Sequence, residues 1–468
     1  MVIFYKFFRY TKCILRPKST YEASIIKYIS TIKSRIRVKM ENEPLPPSRE
    51  NPIIMKLDNS VFHSIFTPEL NTLSDLFKRY NYALRIAGGA VRDILMDVKP
   101  TDLDFATNAT PDQMKDMFTK EEIRMINTRG EKHGTITARI NDKENFEVTT
   151  LRIDVVTDGR HAEVKFTTNW KLDANRRDLT INSMFLDLDG NVYDYFFGYD
   201  DLQKRRVVFV GDPSRRIQED YLRILRYFRF YGRITNSPDN FDEKTIQAIK
   251  ENVAGLEYIS GERIWSEWYK ILDGKYGGEL TMKMIECGVA PYIGLPEEPD
   301  VENFKTIYDR ALNNSFKLRP ITLITSMLKD EEEVMVLHNR LKLSAYDRDL
   351  ALFLVQHREQ KPCENPLRPY QLLIINPKLK MTDTKGFVCE VLKYRGAVEY
   401  YKKINEWIVP KFPINGHMVK PHVPHGKMVG PVLSKLKEIW FDSNFKIDVD
   451  ELKKHIPVIV DELEEKKK

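Results

Sequence analysis

Asp102 and Asp104, shortly after a Gly88-Gly89 pair, are the side chains in this chain whose type and spacing best suit chemistry. At i and i+2 of a strand, two carboxylates project to one face, close enough to share divalent cations. Leu84-Arg-Ile-Ala-Gly-Gly-Ala-Val-Arg-Asp93 reads as a strand entering a Gly-Gly turn and then a helix. With no Cβ in the way, amides at such a turn can cradle phosphate, and the helix N-terminus adds the positive end of its dipole. A third carboxylate, Glu147, lies in Phe146-Glu-Val-Thr-Thr-Leu-Arg152, where alternation puts Phe146 and Val148 on one face and Glu147 on the other. If this strand lies beside that of Asp102, all three carboxylates face one cleft. Two Mg²⁺ ions held there would activate an attacking hydroxyl and stabilise a leaving pyrophosphate. Taken singly, the aspartates also suit a solvated turn and Glu147 an edge strand. With the glycines, the set is the minimum equipment for nucleotidyl transfer.

Further groups surround this set. In Arg176-Arg-Asp-Leu-Thr-Ile-Asn-Ser183, Arg177 suits a triphosphate clamp, because a planar guanidinium binds phosphate oxygens in pairs. Asp178 and Asn182 can reach ribose hydroxyls. Arg92 is expected to reach phosphate, and Asp93 to cap backbone amides. In Glu219-Asp-Tyr-Leu-Arg-Ile-Leu-Arg-Tyr-Phe-Arg-Phe230, Asp220 and Arg223 fall three apart on an expected helix, with Glu219 placed to orient Arg223. An acceptor beside donors matches cytosine and adenine, which each present an amino group beside a ring nitrogen. Uracil and guanine present a carbonyl beside a ring N–H and would meet the pair like against like. The same spacing equally describes a surface salt bridge.

The elements that must hold these groups follow from periodicity. Residues 41–55 read as a flexible linker. From 56 to 208 short strands near 84–87, 102–106, 135–140, 145–151 and 184–188 alternate with helical stretches such as Pro111–Phe118, an α/β head. Phe209-Val-Gly-Asp-Pro213 gives a short strand and turn, after which Ser214 can cap one long helix and helical periodicity runs to the end. Prolines at 362, 366, 369 and 377 mark a body–tail boundary, and 410–431 reads as loop.

Taken in order, the glycine and carboxylate motifs, Arg176–Ser183, Glu219–Phe230 and Gly261-Glu-Arg-Ile-Trp265 resemble the eukaryotic CCA-adding enzymes, of the class shared with bacterial poly(A) polymerases. The resemblance runs from about residue 55 to about 300. It implies an α+β architecture, with a polymerase-β-like nucleotidyltransferase head (56–208) followed by all-α neck (209–275), body (276–360) and tRNA-binding tail (361–468). It also implies stepwise addition of C, C and A to tRNA lacking a complete 3′ CCA, from CTP and ATP, with Mg²⁺ on Asp102 and Asp104. It favours the base-selecting role for Asp220 and Arg223 and adds Arg226 and Arg229 as nucleotide contacts. Each three-residue step turns a helical side chain back by about 60°, so Arg229 points roughly opposite Asp220 and the geometry favours Arg226. Arg129-Gly-Glu-Lys-His-Gly134 resembles the family's flexible loop, linked to the switch from C to A addition, and equally suits an ordinary hairpin loop. Gly198-Tyr-Asp-Asp-Leu202 resembles a head–neck hinge, and Ser260 a helix cap. A poly(A) polymerase or a partial CC- or A-adding enzyme shares the same head. A catalytically dead RNA-binding adaptor would have lost one of the carboxylates.

At 468 residues the chain exceeds one core, and a formal charge of +6 is compatible with a polyanionic partner. No run of eighteen apolar residues is present, so no stable membrane association is expected. Cys13, Cys287, Cys363 and Cys389 are too scattered for a disulfide framework or zinc site. His417, His422 and His425 lack a helical i, i+4 pair, which favours a solvated loop over a metal site; Lys435, Lys437, Trp440 and Lys446 can reach RNA backbone or line a solvated helix. Residues 1–39 carry ten Lys or Arg and one acid, Glu22, with Phe4, Phe7 and Phe8 opposite Lys6, Arg9 and Lys12 on a helix ending at Pro17. That is the pattern of a mitochondrial presequence, though a basic RNA- or membrane-binding tail shares it. A second start at Met40 would give a cytosolic or nuclear form.

Overall fold

The computed structural model describes residues 45–126, 128–157, 162–359, 364–377 and 383–465. The expected presequence, Met40, Cys13 and Cys363 lie outside them. The chain forms two compact units that meet in sequence at Asn252/Val253, inside the segment expected as the neck.

The first unit is built on a mixed sheet. Its strands are β1 (Ile53–Lys56), β2 (Leu84–Ala87), β3 (Asp104–Thr107), β4 (Arg124–Ile126), β5 (Thr135–Ile140), β6 (Glu144–Thr150), β7 (Arg152–Thr157), β8 (Ala162–Phe166), β9 (Phe185–Asp187) and β10 (Asn191–Tyr193). Among the described residues, eight lie in one sheet in the order β1-β10-β9-β2-β3-β6-β5-β4, and β7-β8 form a separate antiparallel pair. β3 and β6 pair in parallel, while β2 runs antiparallel to both β3 and β9. Alternation sets the two faces. Ile86, Phe105, Phe146 and Val148 are buried, with the Phe105 and Phe146 rings edge to face at 5.9 Å, whereas Asp104 and Glu147 stay exposed. The helix Pro111–Lys120 is fixed by a Thr110/Gln113 capping box and buries Met114, Met117 and Phe118.

In the first unit three expectations change. β3 begins at Asp104, so Asp102 precedes the strand rather than lying in it. Residues 45–55 are not a free linker: β1 pairs with β10, the Arg49 amide donates to the Tyr195 carbonyl at 3.0 Å, and its guanidinium pairs with Asp194 and Asp200. Prolines and acids on either side hide this edge strand in the sequence. The single helix from Ser214 is two helices, Pro213–Glu219 capped by Asp212, and Arg223–Ile234. Between them Asp220 is extended (φ −152°, ψ 106°), and its carboxylate accepts the Leu222 N–H at 3.1 Å. This local bond competes with the helix.

The described part of the second unit is helical, from Gly261–Leu272 to Ile456–Glu465. Ser260 occupies the N-cap of the first helix without a side-chain cap bond. Gly261 is required there because a Cβ would sit 1.9 Å from the Arg340 carbonyl oxygen. Residues 410–431 are not all loop: they hold a short helix, Gly416–Val419, and the start of another, Val429–Asp442. Val419, Val432, Leu436, Trp440, Leu452 and Ile456 form a buried cluster. Trp440 is therefore core and not an RNA contact, while Lys435 pairs with Glu438. His417, His422 and His425 are exposed, and Cys287 and Cys389 are buried free thiols. Among the described residues, no helix is long and apolar enough to cross a membrane.

Candidate active site

β3 and β6 bring the carboxylates together by register. Asp104 lies directly opposite Glu147, both on the face turned away from Phe105 and Val148. Although the Asp104 side chain is open to solvent on one side, desolvation by the surrounding protein pushes its carboxyl above its ordinary range, the charge of Asp102 pushes it further, and Arg177 opposes both. A carboxylate whose ionisation is penalised by a second carboxylate beside it is a fit donor to a divalent cation. Among the described residues, no three His, Cys, Asp or Glu side chains converge as a complete metal cage. A hard cation can be held by as few as two carboxylates, its remaining positions filled by water and substrate phosphates.

β2 delivers the glycines. Gly88 has φ +71° and ψ −124°, a backbone that favours glycine, and opens the helix Gly89–Leu95. Its own N–H donates to the Met184 carbonyl at 3.1 Å, so Gly88 is the turn, and the first-turn amides from Gly89 on are the donors without intrahelical acceptors. A Cβ on Gly88 would lie 2.9 Å from Nη1 of Arg177. Arg177 thus sits against the glycine turn. Its Nε and Nη2 donate to Asp173 at 3.3 and 3.1 Å, its Nη1 to the Asn182 carbonyl at 3.4 Å, and it lies over the Phe185 ring.

Arg92 and Asp93 are placed otherwise than expected. Arg92 is 2% exposed and donates to Asp93 and, at 2.5 Å, to Oδ1 of Asn182. Its guanidinium is engaged by Asp93 and Asn182, so a contact with phosphate is not preformed. Asp93 holds Arg92 and Arg233, each at 2.8 Å, and is no amide cap. Asn182 is also buried, and its amide nitrogen is enclosed without an acceptor.

The two-helix segment brings in the remaining residues. Because the helix breaks at Asp220, Asp220 and Arg223 do not share a helical face as an i, i+3 pair. The carboxylate that holds Arg223 is Glu219, at 2.5 Å, and Arg223 also donates to the carbonyls of Arg216 and Arg176 at 3.0 Å each. Arg226 donates through Nε to Asp178 at 2.6 Å, and the Leu179 amide takes the other Asp178 oxygen at 2.8 Å. Burial alone would raise the Asp178 carboxyl, but Arg226 overcomes it and holds the group down to about 2. Both Asp178 oxygens are therefore in use within the protein, so its contact with ribose is not preformed. Arg229 lies over the Phe230 ring, and Tyr227, Phe228, Phe230 and Tyr231 are core. The 129–134 segment is a 3₁₀ turn, Thr128–His133, between β4 and β5.

Asp173 escaped the sequence reading. It is 1% exposed and holds Arg176 as well as Arg177. The signal was available: an acid on a short helix, Trp170–Asn175, three and four residues before two arginines at the helix end.

Residues 84–208 match the family described as Poly A polymerase head domain, and residues 240–298 one described as probable RNA and SrmB-binding site of polymerase A. CCA tRNA nucleotidyltransferase 1, mitochondrial, of Mus musculus is 51% identical over 407 residues, covering 86% of this chain and 93% of its own. The Homo sapiens protein of that name shows the same identity and coverage. The chain belongs to the CCA tRNA nucleotidyltransferase family. It is a nucleotidyltransferase, and the α+β architecture with a polymerase-β-like head is that of the family. A crystal structure of the Bacillus stearothermophilus CCA-adding enzyme in complex with CTP shares the fold, with a TM-score of 0.66 at 22% identity over 88% of this chain and 99% of that one.

Proposed function

We propose that this nucleotidyltransferase completes the 3′ end of tRNA, adding C, C and A from CTP and ATP without a nucleic acid template and releasing pyrophosphate. The observation that carries the reading is the convergence on one strand end of Asp104, its register partner Glu147, the adjacent Asp102, and Arg177 against the Gly88 turn. Asp102 and Asp104 would hold Mg²⁺, which supplies Lewis-acid polarisation of the phosphates when bound. Arg177, the amides after Gly88 and the free amide of Asn182 grip the triphosphate and sugar of the incoming nucleotide. Glu147 faces the tRNA 3′-hydroxyl and orients it toward the α-phosphorus.

Base choice falls to the junction around Asp220. Arg223, fixed by Glu219, would offer donors, and the Asp220 carboxylate, at the helix break where it also accepts the Leu222 amide, would accept from an exocyclic amino group. Cytosine and adenine satisfy both, and uracil and guanine neither. Arg226 stays with Asp178 until a nucleotide arrives, when Asp178 is released toward the ribose. The helices beyond residue 360 contact tRNA. The protein works in mitochondria, and a form begun at Met40 works outside them.

Single-nucleotide incorporation on tRNA lacking CCA tests the selection: CTP and ATP are to be used, and UTP and GTP rejected. Equal use of all four refutes it.

A further inference from the structure

Behind the triphosphate clamp lies a buried group of charges. Asp173 distributes its two oxygens: Oδ2 takes Arg177, and Oδ1 takes Arg176 Nε at 2.8 Å and the backbone N–H of Arg152 at 3.1 Å. Burial works to raise the Asp173 carboxyl, and Arg176 and Arg177 more than offset it, so it is held below its ordinary range. The Arg152 side chain runs the opposite way, its Nη1 donating to the carbonyl of His133, the last residue of the Thr128–His133 turn. Asp154 stands beside it at 3.8 Å and also 3.9 Å from Arg176. Burial brings the Arg152 guanidinium down to about 10, with the charge of Arg176 adding to the effect. Keeping a cation in such a place is unfavourable unless its contacts do something a neutral side chain could not.

The far side of the turn is held separately. Glu131 pairs with Lys115 of the Pro111–Lys120 helix at 2.5 Å, and its carbonyl takes the Gly134 N–H at 2.8 Å. The His133 end is thus the one tied toward the nucleotide site. Arg176 extends the connection, since its carbonyl accepts Nη2 of Arg223.

We propose that Arg152 is a positioning residue, coupling the Thr128–His133 turn through Asp173 to the triphosphate-gripping Arg177. Resting on the reading of Arg177 as that grip, this predicts a two-way dependence. Nucleotide that fixes Arg177 steadies Asp173 and Arg152 and hence the turn, and a loosened turn weakens nucleotide binding. The backbone N–H of Arg152 holds Asp173 while its side chain holds the turn; lysine keeps the first tie and the charge, but lacks the planar group that reaches the His133 carbonyl through Nη1 with Nε facing Asp154.

Arg152→Lys and Asp173→Asn in the full chain, with wild type beside them, test the proposal by two readouts. Hydrogen exchange over residues 130–136 should quicken about tenfold in each variant if the turn has lost its tie. KM for both CTP and ATP should rise about tenfold while kcat stays within about threefold, because the chemical groups are untouched. The two substitutions should combine with less than additive effect, as members of one network do. Arg152→Lys with exchange and KM both at wild-type values overturns the proposal. So does faster exchange with unchanged KM, which would make Arg152 a support of the turn alone. Exchange is read without turnover, so a wild type that fails to extend tRNA would refute the functional reading and leave the tie between turn and clamp decided by exchange.

Discussion

Asp104 of β3 stands directly opposite Glu147 of β6 in a parallel register, with Phe105 and Val148 paired on the buried side. The crossover that makes the pairing parallel contains the Pro111–Lys120 helix, β4, the Thr128–His133 turn and β5. A slip of one residue would turn Glu147 into the core and Val148 out. Buried Phe105, Phe146 and Val148 therefore fix the position of the carboxylates as well as the sheet.

Asp102→Ala or Asp104→Ala should abolish incorporation of CTP and ATP alike, with the fold kept, since both residues are exposed. Radiolabel incorporation and circular dichroism check this. Metal-dependent activity within tenfold of wild type in either variant would contradict it.

Gly88→Ala meets two obstacles, a positive φ and the Arg177 guanidinium at 2.9 Å. The strain is about 1–3 kcal/mol, and the displaced clamp should raise KM for both nucleotides. Steady-state kinetics beside a thermal melt separate the two: a normal KM with a lowered melting temperature would show that the turn is structural only.

Glu219→Gln should remove the charge that holds Arg223 at 2.5 Å and loosen its position, relaxing selection: CTP and ATP slow while UTP and GTP are admitted. Asp220→Ala should do the same by removing the acceptor. Unpaired buried polar groups cost about 1–3 kcal/mol, so wild-type discrimination should be large. Slower variants that still exclude UTP and GTP would contradict the role.

The depressed Asp178 carboxyl gives a pH prediction. Its folded value of about 2 lies below that of an unfolded aspartate, so its stabilising contribution is complete above about pH 4 and is lost as pH falls toward 2. The size is about 2 kcal/mol. Urea unfolding of wild type and Asp178→Asn should differ by about that amount at pH 7 and by less at pH 3. A difference that does not change with pH would assign the effect to packing.

Much of this site was legible because its signals are local. Alternation around Glu147 and the Gly88-Gly89 turn each follow from a few neighbouring residues. What escaped depends on long-range partners or on competing local bonds. Nothing near Arg92 in sequence reveals that Asn182 and Arg233 surround it. The break at Asp220 arises because its side chain captures the Leu222 amide, against a strongly helical pattern on both sides. β1 was hidden because its partner, β10, lies about 140 residues away in the chain.

The most direct measurement is the product formed when the purified full chain, Mg²⁺ and all four nucleotides meet tRNA lacking its 3′ end, read by sequencing the extended strand. C, C and A are expected, added in that order and then no more, with no product when the metal is chelated. A long adenylate tail, a product stopped at C-C, or extension that includes U or G would contradict it.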